Sequence, residues 1–120
     1  MKIEATGNTP SVRIENGIIE IKGRSIPEDS HDFYAPIVHV IQEYLKDPHE
    51  NTVLQFHFQY INSGSKKYIT NILFNFDNFY QRGKDVTVLW YYDYDDESIL
   101  ELGNDFQSMV KIPFRMIEVK

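Results

Sequence analysis

Two hydroxyls, a glycine and two lysines follow one another in Asn62-Ser63-Gly64-Ser65-Lys66-Lys67, the stretch with the residue types for phosphate chemistry. A serine hydroxyl placed there can accept a phosphoryl group, which adds about −1.5 to −2 charges near pH 7. Lys66 and Lys67 supply cations for it. Backbone N–H groups supply donors if the stretch opens a helix, at about 0.3–1 kcal/mol per favourable charge–dipole contact. The spacing Ser63-x-x-Lys66 is also that of an activated serine in penicillin-binding acyltransferases, but their companion motifs Ser-Asp-Asn and Lys-Thr-Gly are absent. A nucleotide-cradling loop needs several glycines, and here there is only Gly64. The plain structural reading is that Ser63 or Asn62 caps a helix, a contribution of about 1 kcal/mol. A cap hydroxyl is displayed at the surface, so capping and phosphorylation are compatible.

A second concentration of chemistry is the acidic run Asp93-Tyr94-Asp95-Asp96-Glu97. It suggests a divalent-metal site or a receiver-type phosphoaspartate pocket. Receiver domains place an acidic pair after their first strand, however, and Asn16-Gly17 occupies that point. Acids at a helix start ordinarily partner its dipole, which leaves Asp93, Asp95 and Asp96 as candidates for a partner surface. His31, His39, His49 and His57 show no metal-ligand spacing. The sequence gives no complete catalytic constellation, and neither a metal nor a cofactor is expected.

The elements that must position these residues can be read from periodicity. Asn16-Gly17 between Ser11–Glu15 and Ile18–Lys22 is a hairpin signal. Gly23–Ser30 reads as a loop. A first helix carries Phe33, Ile37, Val40, Ile41, Tyr44 and Leu45 on one face, with Pro36 either kinking it or starting it, and Asp47-Pro48 ends it. Thr52–Ile61 alternates as a strand. Ile69, Ile72, Leu73, Phe76, Phe79 and Tyr80 then mark a second helix, closed by Arg82-Gly83. Asp85–Tyr92 is a fourth strand, and Ile99, Leu102, Phe106, Met109 and Val110 mark a third helix. The last strand is Ile112–Ile117, where Pro113 argues for an edge position.

The order β-β-α-β-α-β-α-β predicts an α/β fold with a five-stranded, mixed, mostly parallel sheet. A parallel strand covered on both faces should be apolar on both. The third strand instead alternates Leu54, Phe56, Phe58 and Tyr60 with Gln55, His57 and Gln59, so the helices are expected mainly on one face. In such a sheet the Ser63 loop and the Asp93–Glu97 turn leave by the same edge, where ligands usually meet these folds. A phosphate on Ser63 would feel attraction from the lysines and repulsion from the acidic turn. A small-molecule or nucleotide site along that edge is the alternative use of the same geometry.

Composition narrows the function. Residues 1–120 read as one domain, large enough to bury roughly two thirds of its unfolded surface. Twelve Lys and Arg against 18 Asp and Glu give −6, which disfavours nucleic-acid binding. No cysteine is present, which removes disulfides, thiol catalysis and zinc–thiolate sites. No apolar run approaches a membrane span and no signal-peptide core is found, so a cytoplasmic protein is expected. Eight Tyr and eight Phe exceed what a small core must hide, and some are available for docking.

Five blocks in order carry a resemblance: Thr9-Pro10, Gly23–Glu28, Tyr60–Lys66, Val88–Tyr92 and Ile112–Phe114. Together they resemble the SiaC family of bacterial regulatory phosphoproteins, over about Thr9 to Ile117. The resemblance implies a fold like that of STAS domains and no catalytic activity. It also implies phosphorylation by a partner protein kinase and dephosphorylation by a PP2C-type phosphatase. The unphosphorylated form is implied to bind and activate a diguanylate cyclase, linking the protein to c-di-GMP signalling and biofilm control. The family's phosphoacceptor follows the Asn of the strand-three loop, commonly in Asn-Thr-Ser-Ser, and the matching residue is Ser63. Ser replaces Thr here and Gly64 stands where Ser is usual, which makes Ser65 the alternative acceptor.

Overall fold

The computed structural model describes residues 1–120 and contains one mixed sheet of six strands with three helices. The strands are β1 (Lys2–Ile3), β2 (Ser11–Glu15), β3 (Ile18–Ser25), β4 (Asn51–Ile61), β5 (Asp85–Asp93) and β6 (Phe114–Val119). The helices are α1 (Ser30–Tyr44), α2 (Ser63–Gln81) and α3 (Glu97–Met109). β1, β2 and β3 pair antiparallel, and β3 through β6 pair parallel in chain order.

The expected hairpin is present. Asn16 and Gly17 both take positive φ (53° and 79°), the twist a two-residue turn between right-twisted strands requires. The expected five strands become six because Lys2–Ile3 adds a two-residue edge beside β2, too short for alternation to reveal. β3 also runs on through Ser25, where a loop beginning at Gly23 was expected. Gly23 adopts φ 120° and the β3–β4 register shifts between Gly23 and Arg24, so a bulge absorbs the irregularity and pairing resumes. β6 takes the other edge, as Pro113 suggested, but Pro113 lies just before the strand.

Three crossovers that each step to the next strand in the same direction must, with one handedness, fall on one side of the sheet. Burial follows that rule. Leu54, Phe56 and Phe58 of β4 and Val86, Val88 and Trp90 of β5 are buried with Ile69, Ile72 and Phe76 of α2. Gln55 and His57 on the opposite side of β4 stay partly accessible. α1 buries Tyr34, Ile37 and Ile41; Tyr34, absent from the expected stripe, belongs to it at the 3–4 spacing. Pro36 sits inside α1 with its ring toward solvent, so it neither starts nor ends the helix. On α3, Ile99 and Phe106 are buried as expected, whereas Met109 is exposed.

Candidate functional site at the strand-end edge

The site begins where β4 ends. Asn62 is extended (φ −88°, ψ 171°) and its Oδ1 accepts the Ser65 N–H at 2.9 Å, so Asn62 rather than Ser63 is the N-cap of α2. The Asn62 N–H donates to the Ser25 carbonyl at 2.9 Å and its Nδ2 to the Pro27 carbonyl at 3.4 Å, fixing the turn to the end of β3. A cap amide does this better than a serine hydroxyl, since it accepts toward the helix and donates backward at once. Ser63 becomes the first helical residue and is exposed.

Ser65 has the opposite fate. It is fully buried, its Oγ accepting from Ser25 Oγ at 2.8 Å and donating to the Ser25 carbonyl at 3.2 Å. Ser25 Oγ lies 2.5 Å from the Tyr34 hydroxyl. Each hydroxyl has one proton, so the chain runs from Tyr34 to Ser25 to Ser65 and ends on the Ser25 carbonyl. Burial raises the Tyr34 phenol above its ordinary value, opposed by its hydrogen bonds to the two serines. A satisfied buried network of this kind fixes geometry at the root of α2.

Charge distinguishes α2 from its neighbours. α1 is capped by Asp29 with Asp32 in its first turn, and α3 by Asp96 with Glu97 in its first turn. α2 is capped by the neutral Asn62 and has no acid in its first turn. Its positive end is therefore the one among three that no carboxylate already offsets. Gly64 lets the starts of α1 and α2 meet, because a Cβ there would overlap Ser30 Oγ.

The two lysines part company. Lys66 lines a cavity of ≈ 420 Å³ at the strand-end edge with Tyr60, Asp96 and Ser98. Lys67 lines a separate groove between α1 and α2. Neither belongs to an ion pair of the fold.

The acidic residues disperse as well. The Asp93 carboxylate leaves the turn and lies 3.0 Å from His57 Nε2, on the sheet side without helices. Asp96 Oδ1 accepts the Ile99 N–H at 3.0 Å as the cap of α3. Asp95 stays exposed in the turn, and Glu97 is exposed as the first residue of α3. No three His, Asp or Glu side chains converge as a metal cluster would need.

Sequence reasoning passed over three features. The His57–Asp93 pair needs the strand register, in which His57 lies beside Tyr91. Tyr34 was hidden because the stripe was phased on its neighbour Phe33, which is only half-buried. Asp77 is buried on α2 and accepts the Lys111 N–H at 2.8 Å and the Ile112 N–H at 3.3 Å, a carboxylate standing in for a strand partner.

A sheet covered by helices on one side, with its strand-to-helix turns at one edge, is a STAS-like α/β fold. The model of the SiaC family regulatory phosphoproteins matches residues 3–119, and the chain belongs to that family. The family is regulatory rather than enzymatic. An uncharacterized protein of Pseudomonas aeruginosa is 27% identical over 116 residues, 95% of this chain and 92% of that protein. Among solved structures, the diguanylate cyclase SiaD in complex with its activator SiaC from Pseudomonas aeruginosa matches with a TM-score of 0.94 and 26% identity over 99% of both chains. SiaC of Pseudomonas aeruginosa matches with a TM-score of 0.92 and 25% identity, covering 99% of this chain and 98% of that one. No helix here is long and apolar enough to cross a membrane.

Proposed function

We propose that this chain is a phosphoswitch in which phosphorylation of Ser63 by a protein kinase, reversed by a PP2C-type phosphatase, gates binding to a signalling effector. One observation carries the reading: α2 is the only helix whose first turn lacks a carboxylate, and the exposed Ser63 is its first residue. A phosphate there meets free backbone N–H groups and an uncompensated dipole. Burial of Ser65 favours Ser63 over it as acceptor. The relative whose structure was solved with a diguanylate cyclase supports a cyclase as the effector; in this proposal the unphosphorylated form is the one that binds it.

Incubation with the cognate kinase and ATP, followed by mass-spectrometric mapping, is expected to place one phosphate on Ser63. Capture of a diguanylate cyclase from native lysate by the unmodified chain and by Ser63→Ala, but not by the phosphorylated chain, is the companion result. Phosphate found at neither Ser63 nor Ser65 sinks the proposal. A second reading, a small-molecule or nucleotide module, is supported by the cavity of ≈ 420 Å³ that Tyr60 and Lys66 line. A thermal shift from one nucleotide, with or without Mg²⁺, would promote it.

A further inference from the structure

Helices cover one side of the sheet, and the other side carries a pattern of its own. Strand register lines its residues into rows across β3, β4, β5 and β6. One row is Glu20, Gln55, Leu89 and Arg115, and the next is Lys22, His57, Tyr91 and Ile117. Leu89, Tyr91, Ile117 and Val119 are half-buried although no helix lies over them. At the other end of the rows a cavity of ≈ 140 Å³ opens, with Glu20, Lys22, His57 and Tyr91 in its lining.

Charge sets this face apart. Short of the bulge at Gly23 it carries the cations Lys2, Arg13, Lys22 and Arg115 and the carboxylates Glu15, Glu20, Asp85 and Asp93. The face is balanced in a chain whose net charge is −6, so the surplus of acid lies elsewhere. Two copies that meet by this face are spared the repulsion that the acidic remainder imposes. Arg115 is exposed and belongs to no ion pair of the fold. Glu20 has only Arg13, at 3.5 Å, and Arg13 divides itself between Glu20 and Glu15.

We infer that a second copy of this chain packs on this face, sheet against sheet, with the two-fold axis running along the strands between β4 and β5. Such an axis lays each row over its own reverse. Arg115 of each copy then stands over Glu20 of the other, at the mouth of the cavity, and Tyr91 stands over His57. A second copy is the occupant because the reversed row supplies the partner that Arg115 lacks, twice per dimer. Four strands about 4.8 Å apart and six residues at about 3.3 Å each give a footprint of about 20 by 20 Å. That belongs with the small interfaces, below about 1,200 Å² in total, which associate weakly. A micromolar dimer is expected. It leaves both helical layers outside, so the inference is independent of the phosphoswitch.

The test is sedimentation velocity of the full chain over a concentration series from low micromolar to several hundred micromolar. The wild type is expected to pass from monomer to dimer. Arg115→Glu and Glu20→Arg should each weaken the dimer by about tenfold or more, as like charges facing each other at an interface do, while Lys111→Glu, the same charge change off this face, stays within about threefold. An equimolar mixture of Arg115→Glu and Glu20→Arg should dimerise again, because the two variants restore both charge pairs between them. Misfolded variants would not recover on mixing, so the mixture separates a lost contact from a lost fold. A wild type that stays monomeric throughout overturns the inference. So does a dimer indifferent to Arg115→Glu, an equal loss from Lys111→Glu, or a mixture no more associated than its components.

Discussion

Two strand-to-helix turns leave neighbouring strands at the same edge, and they are built alike. After β4, Asn62 caps α2 through the Ser65 N–H at 2.9 Å; after β5, Asp96 caps α3 through the Ile99 N–H at 3.0 Å. The geometry is shared and the charge is not. At Asp96 the carboxylate is part of the chain, so the positive end of α3 is permanently answered. At Asn62 the cap is neutral, and under the proposed switch the negative charge would come from a phosphate on Ser63 or from a partner. A single nitrogen-for-oxygen difference in the cap separates a structural turn from a receptive one.

Breaking the permanent turn should have the largest effect. Gly103 lets α3 lie against Trp90, whose Nε1 donates to the Ile99 carbonyl at 2.9 Å just beyond the Asp96 cap. A Cβ there would overlap the indole, so Gly103→Ala is expected to destabilise by about 2–3 kcal/mol through overpacking. Chemical denaturation should show it, with Ser63 phosphorylation by the kinase retained below the transition.

Within the receptive turn the two serines should separate. Ser65→Ala strands the Ser25 hydroxyl proton in the interior and should cost about 1–3 kcal/mol. Ser63→Ala, at an exposed position, should change stability by no more than about 0.5 kcal/mol. Equal effects on melting would break the distinction between sealed and displayed hydroxyl.

Tyr34→Phe probes the same network by pH. The folded state raises the Tyr34 phenol above its ordinary value because it is buried. Both states keep the proton below about pH 10, so that stabilisation is then fully present; above it the unfolded chain releases the proton first, and stability falls as pH rises toward the folded value. The wild type should exceed Tyr34→Phe by about 1 kcal/mol at neutral pH, with the gap closing in alkali. A gap that widens there would reject the assignment.

The smallest effect is the sharpest for the comparison. Asn62→Asp gives α2 the cap that α3 has, but the gain of about 0.3–1 kcal/mol against the helix dipole at low salt is offset by loss of the Nδ2 donation to the Pro27 carbonyl, so stability should change by less than about 1 kcal/mol. It should also weaken the hold on a Ser63 phosphate, read as faster removal by the phosphatase.

Much of this was legible in residue order. Asn16-Gly17 announced its hairpin, and the alternation of Leu54, Phe56 and Phe58 with Gln55 and His57 announced a sheet covered on one side. Both are short-range patterns with a physical period. What escaped depended on three-dimensional register. Whether Asn62 or Ser63 caps α2 turns on backbone direction at a single residue, and the sequence left both open. Lys66 and Lys67 are adjacent in sequence, yet the helical twist of about 100° per residue sends them to different concavities. Asp93 reads as one member of an acidic run, but strand alternation carries it through the sheet to His57.

The buried chain from Tyr34 through Ser25 to Ser65 has one more consequence. Two serines two residues apart would look alike to a kinase meeting the polypeptide before it folds. Once the chain is folded, one hydroxyl is withdrawn and the other is on show. Under the proposed switch, a single phosphate per molecule, always on Ser63, would therefore certify that the protein was native when it was modified, and the mark would record conformational history as well as signal.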